Sequence, residues 1–391
     1  PEAFALLHPA LDDKYPLPHP SAAGVVFEFL HALEGRDDWP ERDVDVALAT
    51  FGVVGDLVPL KGRNRALVQE GLRAMQRLPV ESPVAKLVAG VASDSMPVSS
   101  VDIAFRIAPR INAAGRMADP HLALRALLDG GEFLDELESL NAHRQDETKV
   151  HWQTVQRILP AGEMPAFLAV ADGSFQHGII GLLAGKLTET YGRPSLAAAI
   201  HDDLCTASLR SPACYNIVEG LERVADLLTS YGGHAQAAGC AFPLAALPAL
   251  TQRLIADVEA RVSPEDLAPT LTVDAVLEPA QISLTLCQEL GLLAPFGQQN
   301  PEPLFLVPSV RLVGNRRVGG DGQHLQATVG TCKAIGFGLA HIEEHLGQPV
   351  DLVCRLGLNS WNGRVSPQLY IVDVRATVSA TTPLATAARY A

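Results

Sequence analysis

From Phe133 to Leu159 the sequence keeps helical spacing, yet its middle, HRQDETK at 143–149, is polar all round. A helix without an apolar face buries nothing and usually runs through solvent between two bodies. That stretch predicts a domain boundary, and a length of 391 residues allows two or three domains.

Apolar runs alternate with helical patterns ahead of the boundary. In DVALATFGVVGDLVPL a near-continuous apolar run, Val46 to Val54, ends in Gly55-Asp56. Such a run predicts a buried strand of a parallel sheet. RNRALVQEGLRAMQRL then has helical spacing. From about Met164 a second α/β unit begins. AFLAVA, SLAAAI and CTASLR read as strands, and GIIGLLAGKLTETYG as a helix closed by Gly192. NIVEGLERVADLLTSYGG predicts an amphipathic helix ending at glycine, and LAALPALTQRLIADVEARV a last helix with Pro248 near its first turn. After SPEDLAP the chain turns to short β-like runs separated by glycine, the pattern of a small barrel. The closing SATTPLATAARYA reads as a linker.

With 48% hydrophobic but only 5% aromatic residues, the cores must be built from Ala, Val, Leu and Ile, which suits α/β layers. The formal net charge of −14 repels phosphate at long range, so any polyanion must meet basic residues gathered in one channel. The six cysteines form no CxxC and read as scattered thiols of a reducing cytosol. No apolar run is long enough to span a bilayer. The first residue is Pro1, and PEAFALLHPAL reads as the middle of a longer sequence. GxxxxGK[ST], GxGxxG, GxSxG and HExxH are all absent, which removes the usual support for NTPase, dehydrogenase, serine-hydrolase and zincin readings.

Four stretches carry candidate chemistry. Asp56 follows a predicted strand end, where open α/β sheets place ligand groups, although position alone favours a turn or helix-cap aspartate. FRIAPRINAAGR gathers Arg106, Arg110 and Arg116 around Asn112, which fits phosphate oxygens and surface ion pairs equally well. In TASLRS, Ser208 and Arg210 alternate on one strand and share a face; they form either a phosphate clamp or, as spacing favours, a solvated strand face. In GGHAQAAG, Gly232 or Gly233 can cap the preceding helix. A cap does not explain Ala235, Ala237, Ala238 and Gly239, which let a ligand approach the backbone and leave His234 as a donor to a phosphate or base.

Together these blocks resemble the RecJ family of the DHH-phosphoesterase superfamily. GGHAQAAG is similar to the glycine–histidine signature of the DHH-associated domain. LATFGVVGDLVPLKGRNRALVQEGL, FRIAPRINAAGRMADP, SFQHGIIGLLAGKLTETYGRP, LAPFGQQNPEPLF and SWNGRVSPQLYIVDVR follow in the family's order. The resemblance implies an α/β chain: the carboxyl side of a DHH domain with a parallel sheet (1–130), a connecting helix (131–162), a DHH-associated domain (163–265), an OB-fold (266–378) and a tail (379–391). It implies a single-stranded-DNA-specific 5′→3′ exonuclease of repair and recombination in the bacterial cytoplasm, with a two-metal Mn²⁺ or Mg²⁺ centre that activates water.

Residue by residue, Asp56 matches a metal-binding aspartate and Arg116 an arginine near the active site. Ser208 and Arg210 match a pair suited to a terminal 5′-phosphate. His234, after Gly232 and Gly233, matches the histidine facing the scissile bond. Arg316, Arg317, Trp361 and Arg364 are candidates for gripping the strand on the OB-fold. The family's remaining metal ligands, including its Asp-His-His triplet, belong to upstream motifs that this sequence lacks. The 391 residues alone are therefore not expected to complete the metal centre. The implied partners are single-stranded DNA, a single-strand-binding protein and a RecQ-type helicase, with no membrane. Two alternatives stand beside this: a DHH phosphodiesterase of short oligonucleotides or cyclic dinucleotides, which would usually lack the OB-fold, and a catalytically dead single-strand binder.

Overall fold

The structure, a computed structural model, describes residues 4–11, 14–92, 97–268, 270–320, 322–345, 347–361 and 363–377. It divides into two compact units, Pro1–Ala108 with Leu271–Arg389, and Pro109–Thr270. The expected tail, 379–391, lies outside the described residues.

The first unit opens with helices α1 (Ala22–Glu34), α2 (Arg42–Gly55), α3 (Gly62–Ala74), α4 (Pro83–Ala89) and α5 (Ser100–Asp102), the last running into a π-helical turn, Ile103–Ile107. Among the described residues up to Ala108 there is no strand, which corrects the expectation for Val46–Val54. That run is the inside of α2. Val46, Ala47, Ala49, Thr50, Phe51, Val53 and Val54 are all buried, so the helix shows no polar face and its 3.6-residue period disappears. Asp43 and Asp45 in its first turn complement the positive end of the helix dipole, a start signal the strand reading overlooked.

Next come α6 (Ala108–Met117), α7 (His121–Leu128) and α8 (Glu132–Ile158). The 27-residue α8 falls whole within the second unit and buries Leu137, Asn141, His151 and Val155, so it is not a solvent bridge. The unit continues with β1 (Leu168–Asp172), α9 (His177–Tyr191), β2 (Ser195–His201), β3 (Leu204–Arg210), α10 (Ile217–Glu222), β4 (Ser230–His234), β5 (Ala237–Pro243) and α11 (Leu247–Arg261). Its sheet has the order β1-β2-β3-β5-β4, with β1 and β2 parallel and the rest antiparallel. On one face Leu168, Val170, Ala197 and Ala199 pack with α9 and with Val155 of α8. On the other, Leu196, Ala207, Leu209 and Cys240 pack with Leu250, Leu254 and Val258 of α11.

The helix expected through Leu228 and Ser230 to the glycines stops at Glu222. Residues 230–234 pair instead with β5, and Thr229 donates its N–H to Ala241 O at 2.7 Å. Sheet pairing takes those backbone groups and overrides the local helical spacing.

The rest of the first unit comprises β6 (Ala275–Val276), α12 (Leu284–Gly291), β7 (Phe305–Val310), β8 (Val313–Val318), β9 (His324–Val329), β10 (Cys332–Gly336), β11 (Val350–Trp361) and β12 (Arg364–Ala376). The sheet runs β6-β7-β11-β12-β10-β9-β8 around Phe305, Val307, Leu325, Ala327, Leu352, Cys354 and Leu369. Within this unit the segment Ala294–Gln298 is tied to the helices by backbone acceptors. Leu60 N–H donates to Gln298 O (2.8 Å), Ser100 Oγ to Phe296 O (2.7 Å) and Arg65 Nη2 to Ala294 O (2.9 Å). No helix among the described residues is long and apolar enough to cross a membrane.

Candidate phosphate-binding site

The second unit builds the site on the α9 face of its sheet. Alternation along β3 sends Cys205, Ala207 and Leu209 into the α11-side core and leaves Ser208 and Arg210 on the opposite face. Arg210 Nη1 donates to Ser208 Oγ at 3.1 Å and to Leu209 O at 2.8 Å. The hydroxyl accepts from the guanidinium, so its own proton remains free to donate. A Cβ on Gly181 of α9 would lie 3.4 Å from Ser208 Oγ and 3.5 Å from Arg210 Nη2, so α9 flanks the pair closely.

Register carries the face onward. Ser208 stands opposite Gly239, and Gly239 opposite Gly232; Arg210 stands opposite Ala237, and Ala237 opposite His234. Residues directly opposite share a face, so an open strip of Gly and Ala separates the Ser–Arg pair from the exposed His234. The sequence reading of Gly232 and Gly233 as a helix cap is corrected, because both lie inside β4. Gly233 has φ +147°, and a Cβ there would sit 2.5 Å from Ala237 O. Only glycine holds that backbone against β5.

Arg116, in the last turn of α6, donates Nη1 to Gly178 O at 3.3 Å. A Cβ on Gly178 would come 1.9 Å from Arg116 O, so the end of α6 touches the start of α9. The surrounding protein strips enough water from Arg116 to lower its pKa, although its side chain reaches solvent. Arg210 is lowered by burial first and then by the charge of Arg116, and Arg144 of α8 by the same two causes. Among the described residues none of Arg116, Arg144 and Arg210 is paired with a carboxylate. Three crowded, partly desolvated guanidiniums without a carboxylate partner among the described residues have the chemistry that suits a multiply charged anion.

Arg144 escaped the sequence reading. It sits in the all-polar HRQDETK stretch, which the sequence marked only as a domain boundary. It donates Nη2 to Asn141 Oδ1 at 2.9 Å, and its Nε is buried without a partner. Arg110 is engaged otherwise, 2.5 Å from Glu138 of α8, which is the ion-pair reading of that residue. Asn112 is exposed on α6.

The remaining nominated residues belong to the first unit. Asp56 is the exposed C-cap of α2, its N–H donating to Gly52 O at 3.0 Å. Among the described residues no three or more His, Cys, Asp or Glu side chains gather that could hold a metal ion. One exposed carboxylate does not form a ligand set for a hard cation, so the described residues do not complete the implied centre. Arg316 of β8 stands opposite Gln326 and donates Nε to its Oε1 at 2.6 Å. Arg317 stands opposite Leu325, whose side chain enters the core, so the two arginines take opposite faces. Arg364 is exposed at the start of β12, opposite Trp361. The Trp361 side chain lies outside what is described.

Comparison with known proteins places the chain in a class. The DHHA1 domain family matches residues 164–260 and the RecJ OB domain family residues 273–373. This is a DHH-phosphoesterase chain with its DHH-associated and OB domains. The single-stranded-DNA-specific exonuclease RecJ of Thermus thermophilus is 34% identical over 382 residues, covering 96% of this chain and 54% of the relative. That of Bacillus subtilis is 29% identical over 388 residues, covering 95% and 49%. Crystal structures of the Thermus thermophilus RecJ in complex with Mn²⁺ and with Mg²⁺ superpose with TM-scores of 0.80 and 0.81 at 32% identity, each covering 95% of this chain. They are covered over 55% and 58% of their own length. The chain belongs to the RecJ family, and it spans about half the length of these relatives.

Proposed function

We propose that this chain is the end-gripping and strand-guiding part of a single-stranded-DNA-specific 5′→3′ exonuclease acting in repair and recombination in the bacterial cytoplasm. The observation carrying this reading is the cluster of Arg116, Arg144 and Arg210 beside Ser208, without a carboxylate counterion among the described residues. A terminal 5′-phosphate carries nearly two charges and three acceptor oxygens, the ligand such a cluster fits best. An internal phosphodiester carries one, so the cluster prefers an end and thereby sets polarity. Arg210 and Arg116 hold the phosphate, Ser208 donates to it, and His234 across the small-residue strip donates to the next phosphate along the strand. Mn²⁺ or Mg²⁺, bound by Asp56 and residues upstream of this sequence, would supply the activated water for phosphodiester hydrolysis. A single-strand-binding protein and a RecQ-type helicase are the recruiting partners. The OB domain weighs against a phosphodiesterase of short oligonucleotides or cyclic dinucleotides.

The test is digestion by the full-length protein, with Mn²⁺, of uniformly labelled strands bearing a 5′-phosphate or a 5′-hydroxyl. Faster release from the phosphorylated single strand, and little from blunt duplex, supports the reading. Strand binding without any release makes the protein a binder and overturns the exonuclease.

A further inference from the structure

Within the first unit the loop that carries Asp56 is held from two sides. On one side Asn64 of α3, 2% exposed, donates Nδ2 to Pro59 O at 3.2 Å and to His19 O at 3.0 Å. On the other lies the turn 293–300, which leads from α12 towards β7. Alternate carbonyls of this turn are bound from opposite sides. Asn300 takes one set: its Nδ2 donates to Leu293 O (3.1 Å) and Pro295 O (2.8 Å), and its N–H to Gly297 O (3.0 Å). The helices and the Asp56 loop take the other. Arg65 Nη2 and Gln69 Nε2 donate to Ala294 O (2.9 and 3.4 Å), Ser100 Oγ to Phe296 O (2.7 Å) and the Leu60 N–H to Gln298 O (2.8 Å).

Every carbonyl from Leu293 to Gln298 therefore has a donor, and one side chain closes the turn on itself. A turn closed in this way moves as one piece. It is also anchored at both ends to the OB part: Ala294 N–H donates to Gly291 O at the end of α12 (3.2 Å), and Leu304 N–H, just ahead of β7, to Asp274 Oδ2 (2.8 Å). Gly297 rests on Leu60, which is 2% exposed; a Cβ on that glycine would come 2.7 Å from Leu60 Cδ1. Close-packed contacts of this kind pass a displacement on instead of absorbing it. A shift of the seven-stranded sheet thus reaches Leu60, which follows Asp56 in the same loop.

We infer that Asn300 is a positioning residue: it shapes the turn that fixes the OB part to the Asp56 loop, so that a strand held on that part is presented to Asp56 in one register. The inference rests on the exonuclease reading proposed above and adds a coupling between two parts of the protein, with no further contact to the strand. It is tested on the full-length protein with Asn300→Asp, which keeps the size of the side chain but turns its two donors into acceptors facing carbonyls. Ser100→Ala, outside the turn, removes the Phe296 O donor and serves as the second variant should the first fail to fold. With Mn²⁺, kcat on a long 5′-phosphorylated oligo(dT) should fall about ten- to a hundredfold at unchanged KM, because the strand arrives misplaced. A tetranucleotide, too short to reach the OB part, should be cleaved as before. Without metal, anisotropy should give the same affinity for the long strand in variant and unmodified protein. Binding of that strand should slow amide exchange at Leu60 in the unmodified protein and leave it unchanged in Asn300→Asp. Equal loss on both lengths, or no loss on either, overturns the inference, as does a parallel loss of metal-free affinity. Cleavage of neither length by the unmodified protein sinks the exonuclease reading instead, and exchange at Leu60 then still decides the coupling: the same response to the strand in both proteins overturns it.

Discussion

Arg210 and His234 stand on one cross-strand line with only Ala237 between them. Adjacent antiparallel strands lie about 4.7–4.9 Å apart. The guanidinium and the imidazole therefore flank a gap two strands wide, roofed by nothing larger than a methyl group. This explains the run of small residues around a single histidine: they keep the backbone accessible between two donors.

Arg210→Ala should blunt discrimination between 5′-phosphate and 5′-hydroxyl ends. A hydrogen bond to a charged group contributes about 1.5–3 kcal/mol. The ratio of kcat/KM for the two ends should therefore fall about 10- to 100-fold, measured on the full-length protein. Ser208 loses only its partner, so binding of 5′-hydroxyl strands should hardly change. If the two ends are still discriminated as before, Arg210 does not grip the phosphate.

Arg144→Gln keeps much of the side-chain volume and removes the charge. It should relieve the cost of burial and the repulsion between Arg144 and Arg116, the two causes that lower the Arg144 pKa. The free protein should then be as stable as before or more so, while inorganic phosphate binds more weakly by calorimetry. A variant that melts several degrees lower with unchanged phosphate affinity would make Arg144 a structural residue.

Much of this site was legible in the sequence. Strand alternation put Ser208 and Arg210 on one face, and β3 keeps that alternation because one face is buried and the other lies against α9. The run Val46–Val54 misled because a helix buried all round looks as continuous as a buried strand. The glycines of GGHAQAAG misled because local spacing does not reveal that Thr229 and β4 pair with β5. Arg144 was invisible because its neighbours in the site arrive from α6 and β3, far away in sequence.

Asp56→Ala in the full-length protein should abolish Mn²⁺-dependent release while strand binding without metal stays within about twofold, the two measured by gel assay and anisotropy. Asp56 is exposed and caps α2 through its backbone, so stability should barely change. Equal loss of binding and release would show that it is not a metal ligand.

Asp172, at the end of β1, has a lowered pKa because the Ser174 hydroxyl donates to it at 2.6 Å and the Ser174 N–H at 2.8 Å. A carboxylate whose folded pKa is depressed stabilises the fold above its unfolded value, 3.8, and that contribution fades as pH falls through the lower folded value. Asp172→Ala should therefore melt below the unmodified protein at pH 6–7, and the two curves should converge as pH falls through the lowered folded value. A gap that persists in acid would mean the carboxylate acts through packing.

Gly178→Ala sets two effects of opposite sign against each other. Alanine in place of glycine in a helix gains about 1 kcal/mol of propensity. Here the added Cβ would come 1.9 Å from Arg116 O and 2.8 Å from Arg116 C, both backbone atoms that no rotamer change can move. Forced separation of α6 from α9 should cost more than the gain, on the order of 1–3 kcal/mol or above. The melting temperature should fall by several degrees. Phosphate affinity should fall with it, because the shift carries Arg116 away from Ser208 and Arg210. A variant that melts higher than the unmodified protein would show that α6 does not rest on the start of α9.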